Sequence, residues 1–271
     1  MKTITFLLLV SISLVGFSQE NSIDLKTENL KGNVLSFQNK TFILDKDSGD
    51  EALKYNEKYI FDKSGSIISI ENFGTQPTLI SKDLFVYKNG RLVTVTTYNS
   101  TGSTDKSTQY EYDDTGKIEA QKKMNSSGKL QYHTTYLYNK AGQLAGQHKL
   151  IPSINYTMKE NYAYNSKGQL LEKAKIARIG TTKETYAYNE VGLMSKKSEY
   201  NAMGELFSVI AYQYNDYDDK IDLKKYDATG SLNYFEKYEY VYDSKGNWIE
   251  RTSFEKGEKV SVEKRKITYR E

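Results

Sequence analysis

Polar and apolar residues alternate along most of this chain in segments of about nine, and each segment ends at a turn opened by Asn or Asp. Leu130-Gln131-Tyr132-His133-Thr134-Thr135-Tyr136-Leu137-Tyr138 is one such segment, and Ser231 to Tyr242 holds another. Alternation with period two, rich in β-branched and aromatic residues, predicts strands. The turns form two series. One contains Asp113-Asp114-Thr115-Gly116, Asn139-Lys140-Ala141-Gly142, and the turns ending at Gly168, Gly192 and Gly246. The other contains Asn99-Ser100-Thr101-Gly102, Asn125-Ser126-Ser127-Gly128, Asn201-Ala202-Met203-Gly204 and Asp227-Ala228-Thr229-Gly230. Asn or Asp at the first position bonds its own backbone, and Gly at the fourth takes the left-handed conformation that closes a type I turn with a bulge. The chain therefore reads as an antiparallel meander, with Gly116, Gly142, Gly168, Gly192 and Gly246 as structural turn residues.

Around the first series a longer phrase recurs: Tyr-x-Tyr-Asn/Asp-x-x-Gly-x-Leu/Ile. It spans Tyr110 to Ile118, Tyr136 to Leu144 and Tyr162 to Leu170, with looser copies from Tyr59, Tyr186, Tyr212 and Tyr240. Glycines at 90, 116, 142, 168 and 192 set a period of about 26 residues, the mark of one supersecondary unit copied side by side. Each unit is a hairpin of two strands. From Tyr59 onward there is room for roughly sixteen strands, which would make a flat sheet on the order of 75 Å wide. Twist of about 20° per strand coils such a sheet. The predicted fold is all-β: antiparallel hairpin repeats in one extended, curved or spiral sheet.

The two tyrosines of each phrase share a face, because side chains alternate along a strand. Stacked repeats build one row from Tyr110, Tyr136, Tyr162, Tyr186, Tyr212 and Tyr240, and a second from Tyr112, Tyr138, Tyr164, Tyr188, Tyr214 and Tyr242. The Leu/Ile after each glycine is expected to pack beside them. Trp248 takes that place in the last phrase and caps the row. Such a face can stack on sugar rings or protein side chains, or it can be the packing layer of the sheet. Tyr112, Tyr138, Tyr164, Tyr188, Tyr214, Tyr242 and Trp248 are the candidate ligand-binding residues.

The ends differ from the middle. Lys2 followed by the apolar run Phe6 to Val15 and small residues at Gly16 and Ser18 fits a signal peptide over 1–18, too short to be a membrane span. Residues 19–58 break the repeat. Val34-Leu35-Ser36-Phe37 and Thr41-Phe42-Ile43-Leu44 read as capping strands over the first edge. Residues 59–271 carry the repeat, and charged Val260 to Tyr269 reads as a blunted last edge.

Composition narrows the chemistry. The chain has no cysteine, hence no disulfide and no lipidated N-terminal Cys, and its formal charge is only +3. Lys and Glu are interleaved, which argues against a nucleic-acid or anionic-membrane surface. No nucleophile elbow or catalytic cysteine is visible, and His133 and His148 alone are too few for a metal site. The acidic stretches Asp45 to Glu51 and Asn215 to Asp219 lack the calcium-loop pattern; in the second, Asp218 replaces Gly and the spacing reads as one residue longer. No catalytic residue, metal or cofactor is expected.

The phrases Tyr110-x-Tyr112-Asp113-x-x-Gly116-x-Ile118, Tyr138-Asn139-x-x-Gly142-x-Leu144 and Tyr240-x-Tyr242-Asp243-x-x-Gly246-Asn247 resemble the YD repeats of the RHS family. The chain also resembles short exported repeat proteins of the Bacteroidetes type, whose start often carries a stretch like Leu30 to Val34. The resemblance implies a spiralling β-sheet that in long members becomes a hollow shell around a toxin, with no catalytic residues in the repeats. This chain has too few repeats to enclose a domain. The expected role is a non-catalytic exported scaffold in the periplasm, on the outer surface or outside the cell, binding an envelope glycan or protein. Alternatives are an accessory or decoy related to RHS toxins, or an envelope-polymer hydrolase.

Overall fold

The structure is a computed structural model that describes residues 28–45 and 48–271; the segment assigned to export, 1–18, lies outside them. Among the described residues eighteen strands form one antiparallel sheet. In chain order they are β1 (Val34–Leu44), β2 (Glu51–Phe61), β3 (Ile67–Phe73), β4 (Leu79–Lys88), β5 (Arg91–Asn99), β6 (Thr104–Tyr112), β7 (Ile118–Asn125), β8 (Leu130–Tyr138) and β9 (Leu144–Ile151). After a short 3-10 turn at Pro152–Ile154 come β10 (Tyr156–Tyr164), β11 (Leu170–Ala177), β12 (Gly180–Tyr188), β13 (Met194–Tyr200), β14 (Leu206–Tyr214), β15 (Lys220–Asp227), β16 (Leu232–Tyr242), β17 (Trp248–Glu255) and β18 (Glu258–Tyr269). The meander and its two turn series are as the sequence predicts.

The open or spiral sheet is not what forms. Each strand pairs with the next, and β1 pairs with both β2 and β18, so the sheet closes into a barrel. Val34–Phe37 and Thr41–Leu44 are halves of one strand rather than caps, and β18 is a seam strand rather than a blunted edge. The reason is backbone hydrogen bonding. An eleven-residue β1 offers two unpaired edges, and a twist of about 20° per strand brings the eighteenth strand round to the first, where pairing removes both edges. Strands about 4.8 Å apart give a circumference on the order of 86 Å and a radius of about 14 Å, before tilt widens it.

The turns follow the predicted chemistry. In the Asn139 turn, Gly142 N–H donates to the Asn139 carbonyl at 2.9 Å, and Asn139 Oδ1 accepts from Gln143 N–H at 3.0 Å. The register shifts just before the second tyrosine of the phrase, as between Leu137 and Tyr138. The Asn215 turn has no added residue: Asp218 occupies the glycine position at φ 66° and donates its N–H to the Asn215 carbonyl at 3.1 Å. An L side chain is strained there, so Asp218→Gly is expected to stabilise the protein by about 0.5–1 kcal/mol. A thermal melt checks this; an unchanged or lower midpoint would remove the strain argument.

Asp62, Asp113, Asp227 and Asp243 open turns where other copies use Asn. At Asp113 and Asp227 the Thr115 and Thr229 hydroxyls and following N–H groups hold the carboxyl below its usual range. At Asp62 and Asp243 burial pulls upward, but the same kind of donors, with the Tyr269 hydroxyl at Asp243, prevail. A carboxyl depressed in the folded state contributes stability above its unfolded value of 3.8, and this is lost as pH falls through the folded value. Glu28, Glu57 and Asp219, raised by burial, act in the opposite sense. Asp113→Asn/Asp227→Asn keeps both acceptors and removes the titration. The expected result is a smaller loss of thermal midpoint below pH 4 than in the parent; parallel pH profiles would count against it.

Candidate functional site

Register assigns the two faces of the wall. Tyr110 opposes Gln121, Tyr112 opposes Ile118, and Thr134 opposes Gln121 and Lys149, so both tyrosine rows share one face with the buried core. Val34, Phe37, Phe61, Ile67 and Ile70 form that core at the seam, with Leu30, Phe85, Ile267 and Tyr269 against it. This is the crowded, concave face, the inside of the barrel. The outer face carries Lys–Glu ladders, Lys82–Glu71 at 3.0 Å and Lys183–Glu172 at 3.5 Å, among apolar residues left open such as Leu137 and Val241, 50% and 52% exposed.

The second tyrosine row is a set of latches. Tyr112, Tyr138, Tyr164, Tyr188 and Tyr214 donate their hydroxyls to the carbonyls of Leu92, Ile118, Leu144, Leu170 and Met194 at 2.7–2.9 Å. Each acceptor is the Leu, Ile or Met of the preceding repeat, packed beside the rings as its spacing predicts. The pattern slips by two residues near the end. Tyr240 bonds the Lys220 carbonyl at 2.6 Å, and Tyr242 moves on to Asp219 at 2.9 Å, receiving Asn215 Nδ2 at 2.7 Å. Burial pushes the Tyr164 and Tyr214 hydroxyls up to about 12. The structure thus brings six of the seven candidate residues into one hydrogen-bonded line.

Trp248, the seventh, stands at the end of that line, opposite Tyr242 and edge-on to the Tyr240 ring at 6.4 Å. The Arg265 guanidinium lies 3.7 Å from its ring and 4.4 Å from that of Phe37. Arg265, with 4% of its side chain exposed, bonds Asn39 at 2.9 Å and pairs with Glu28 at 3.4 Å. Burial lowers its pKa to about 10 against the pull of Glu28.

The first row sits among charges that sequence reasoning did not place. Tyr162 and Tyr186 donate to Glu160 and Glu184 at 2.6 Å. Lys173 reaches Glu160 at 3.4 Å; Lys197 reaches Glu199 at 2.6 Å and Glu184 at 3.5 Å. Burial pushes Tyr162 and Tyr186 far above the ordinary tyrosine range, and the adjoining carboxylates add to it. Alternation could have placed these lysines and glutamates on the tyrosine face, but only closure makes that face an interior. At the rim, Asn247 clamps the leading segment: its Oδ1 accepts from Lys31 N–H at 2.7 Å and its Nδ2 donates to the Lys31 carbonyl at 2.8 Å. Nothing in the repeat marks Asn247, because that position varies among copies (Lys117, Gln143, Gln169).

His133 and His148 are diagonal neighbours on the outer face of β8 and β9. Among the described residues no three His, Cys, Asp or Glu side chains converge as metal ligands, and no helix is long and apolar enough to cross a membrane. The Asp45 to Glu51 stretch lies partly outside the described residues; its Asp45 Oδ1 accepts Ser48 N–H at 2.8 Å.

No family model matches the chain, and no curated protein does. Among solved structures it is similar to a porin-like protein from Bacteroides uniformis, at 11% identity and TM-score 0.48 over 88% of this chain and 99% of that one. A porin-like protein from Bacteroides vulgatus is similar at 14% identity and TM-score 0.36, over 88% and 98% of the two chains. TcdB2-TccC3 without its hypervariable C-terminal region is similar at 11% identity and TM-score 0.39, over 82% of this chain and 15% of that one.

Proposed function

We propose that this chain is an exported, non-catalytic binding scaffold of the cell envelope, and that its inner tyrosine face recognises an envelope glycan or an extended protein segment. The observation that carries this reading is the contrast between the two faces of one closed wall. The inner face is aromatic and charged, with rings backed by a rigid backbone ladder. The outer face is laced with Lys–Glu pairs, and a lysine costs about 2–4 kcal/mol at a bilayer midplane, so the outer wall suits water. The basic, then apolar start of the sequence supports export, and the resemblance to YD repeats of the RHS family supports a wall that wraps around its contents.

The test is a glycan array and an envelope pull-down with residues 19–271, beside Tyr136→Ala/Tyr162→Ala. These two rings belong to the first row and leave the latches intact. Capture by the parent and its loss in a folded variant, checked by circular dichroism, is the expected result. Equal capture by both, or none by either, would remove the tyrosine face as the recognition surface.

A further inference from the structure

Inside the barrel, many cations and carboxylates are paired, while Glu57, Asp83 and Asp219 accept hydroxyls and Lys220 lies over the Tyr212 ring. Lys173 has Glu160, Lys197 has Glu199 and Glu184, Arg251 has Glu263, and Arg265 has Glu28. The run β5 to β9 is different. Its regular inward positions include Val95, Thr97, Thr108, Tyr110, Gln121, Tyr132, Thr134, Tyr136 and Gln147, and no Asp or Glu. Three lysines share that stretch: Lys106 opposite Thr97, Lys123 opposite Thr108 and Tyr132, and Lys149 opposite Thr134.

These amines converge. Lys149 Nζ lies 3.7 Å from the Tyr132 ring centroid and Lys123 Nζ lies 5.5 Å from the same centroid. Burial lowers the proton affinity of Lys123, and Lys106 and Lys149 lower it further, with Asp105 and Asp83 offsetting part of the effect. Among the described residues neither Lys123 nor Lys149 has a carboxylate within 4 Å, and Lys106 has only Asp105, at 4.0 Å. Like charges on neighbouring strands destabilise a sheet, and cation–π contact with one ring offsets only part of that. The cluster sits within a few residues of the turns at Asn99–Gly102 and Asn125–Gly128 and of Pro152–Ile154. That is the end of the barrel opposite the Asn247 clamp, and the three lysines are half-buried, within reach of solvent.

We propose that this mouth of the barrel binds a polyanionic ligand, such as a sugar chain bearing carboxylate or sulfate groups, between Lys106, Lys123 and Lys149, with Tyr132 holding two of the amines apart. This rests on the reading of the inner face as a binding surface and narrows its ligand to an acidic one. Two unmatched amines, with a third held only by one long contact to Asp105, favour multiple negative charges over a neutral sugar in a partly desolvated site.

Titration calorimetry on residues 19–271 tests it, with oligogalacturonate, maltohexaose and inorganic sulfate as probes. The variants are Lys123→Gln/Lys149→Gln and, as an outer-wall control, Lys82→Gln. Oligogalacturonate is expected to bind the parent and the control alike. It should bind Lys123→Gln/Lys149→Gln at least about tenfold more weakly, and its binding should weaken as salt rises. Displacement of the oligomer by sulfate at comparable concentration would support the site with a simple anion as its ligand. Equal oligogalacturonate affinity in parent and inner variant, or no binding of either anion, would overturn it. Maltohexaose binding to parent and inner variant alike, without anion binding, would leave the tyrosine-face reading standing and remove the anion site. No binding of any probe would count against both.

Discussion

Arg265→Ala is expected to destabilise the barrel by about 3–5 kcal/mol, the range for removing one partner of a buried ion pair. Arg265 stands on the strand that closes the ring. It spans the seam to Asn39 on β1, lies between the rings of Phe37 and Trp248, and neutralises Glu28 of the leading segment. Without it Glu28 is left in a buried site where burial already raises its carboxyl. A two-by-two cycle separates the parts. Arg265→Met keeps much of the volume, and adding Glu28→Gln removes the stranded charge. Glu28→Gln should therefore cost less in the Arg265→Met background than in the parent. Urea unfolding reads both numbers. A cost for Arg265→Ala below 1 kcal/mol would mean that the seam is held by its backbone pairing alone.

Replacing Tyr112, Tyr138 and Tyr164 together by Phe should cost about 2–4 kcal/mol, from roughly 1 kcal/mol per hydrogen bond lost. The three latches belong to separate repeats two strands apart, on the order of 10 Å, so their costs should add. Because each ring stays in place, the triple variant removes the latches and retains the aromatic face. A loss of stability without loss of ligand capture would assign the second row to the wall and the first row to recognition. No measurable change in unfolding free energy would contradict the ladder.

Much of this architecture is legible in the sequence. Asn or Asp with Gly three residues later marks most of the turns through a local mechanism, and alternation puts both tyrosine rows on one face. The tyrosine latch is half legible: spacing places Tyr138 beside Ile118, but nothing local shows that the hydroxyl reaches a carbonyl twenty residues back. Closure is not legible, because it depends on two strands at opposite ends of the chain matching in register. Val34–Leu44 breaks the repeat and so reads as a cap, and Lys264-Arg265-Lys266 reads as a charged edge. Arg265 in fact points inward while its two lysine neighbours point out. For the same reason the lysines at 106, 123 and 149 look like ordinary solvated positions until the ring closes around them.

The pairing of β1 with β18 also sets how the protein reaches its native state. Every other strand pair joins neighbours along the chain, so its loop-closure cost is small, and hairpins can zip one after another from any starting point. The seam pairs strands more than two hundred positions apart, as at Asn39 and Arg265, and the Asn247 clamp on Lys31 spans a similar separation. The seam can form only once the other strands have curved far enough to bring the ends together. Contacts made last in folding are broken first in unfolding. Interactions on the seam should thus govern how slowly the barrel opens, and those in the hairpins how quickly it assembles.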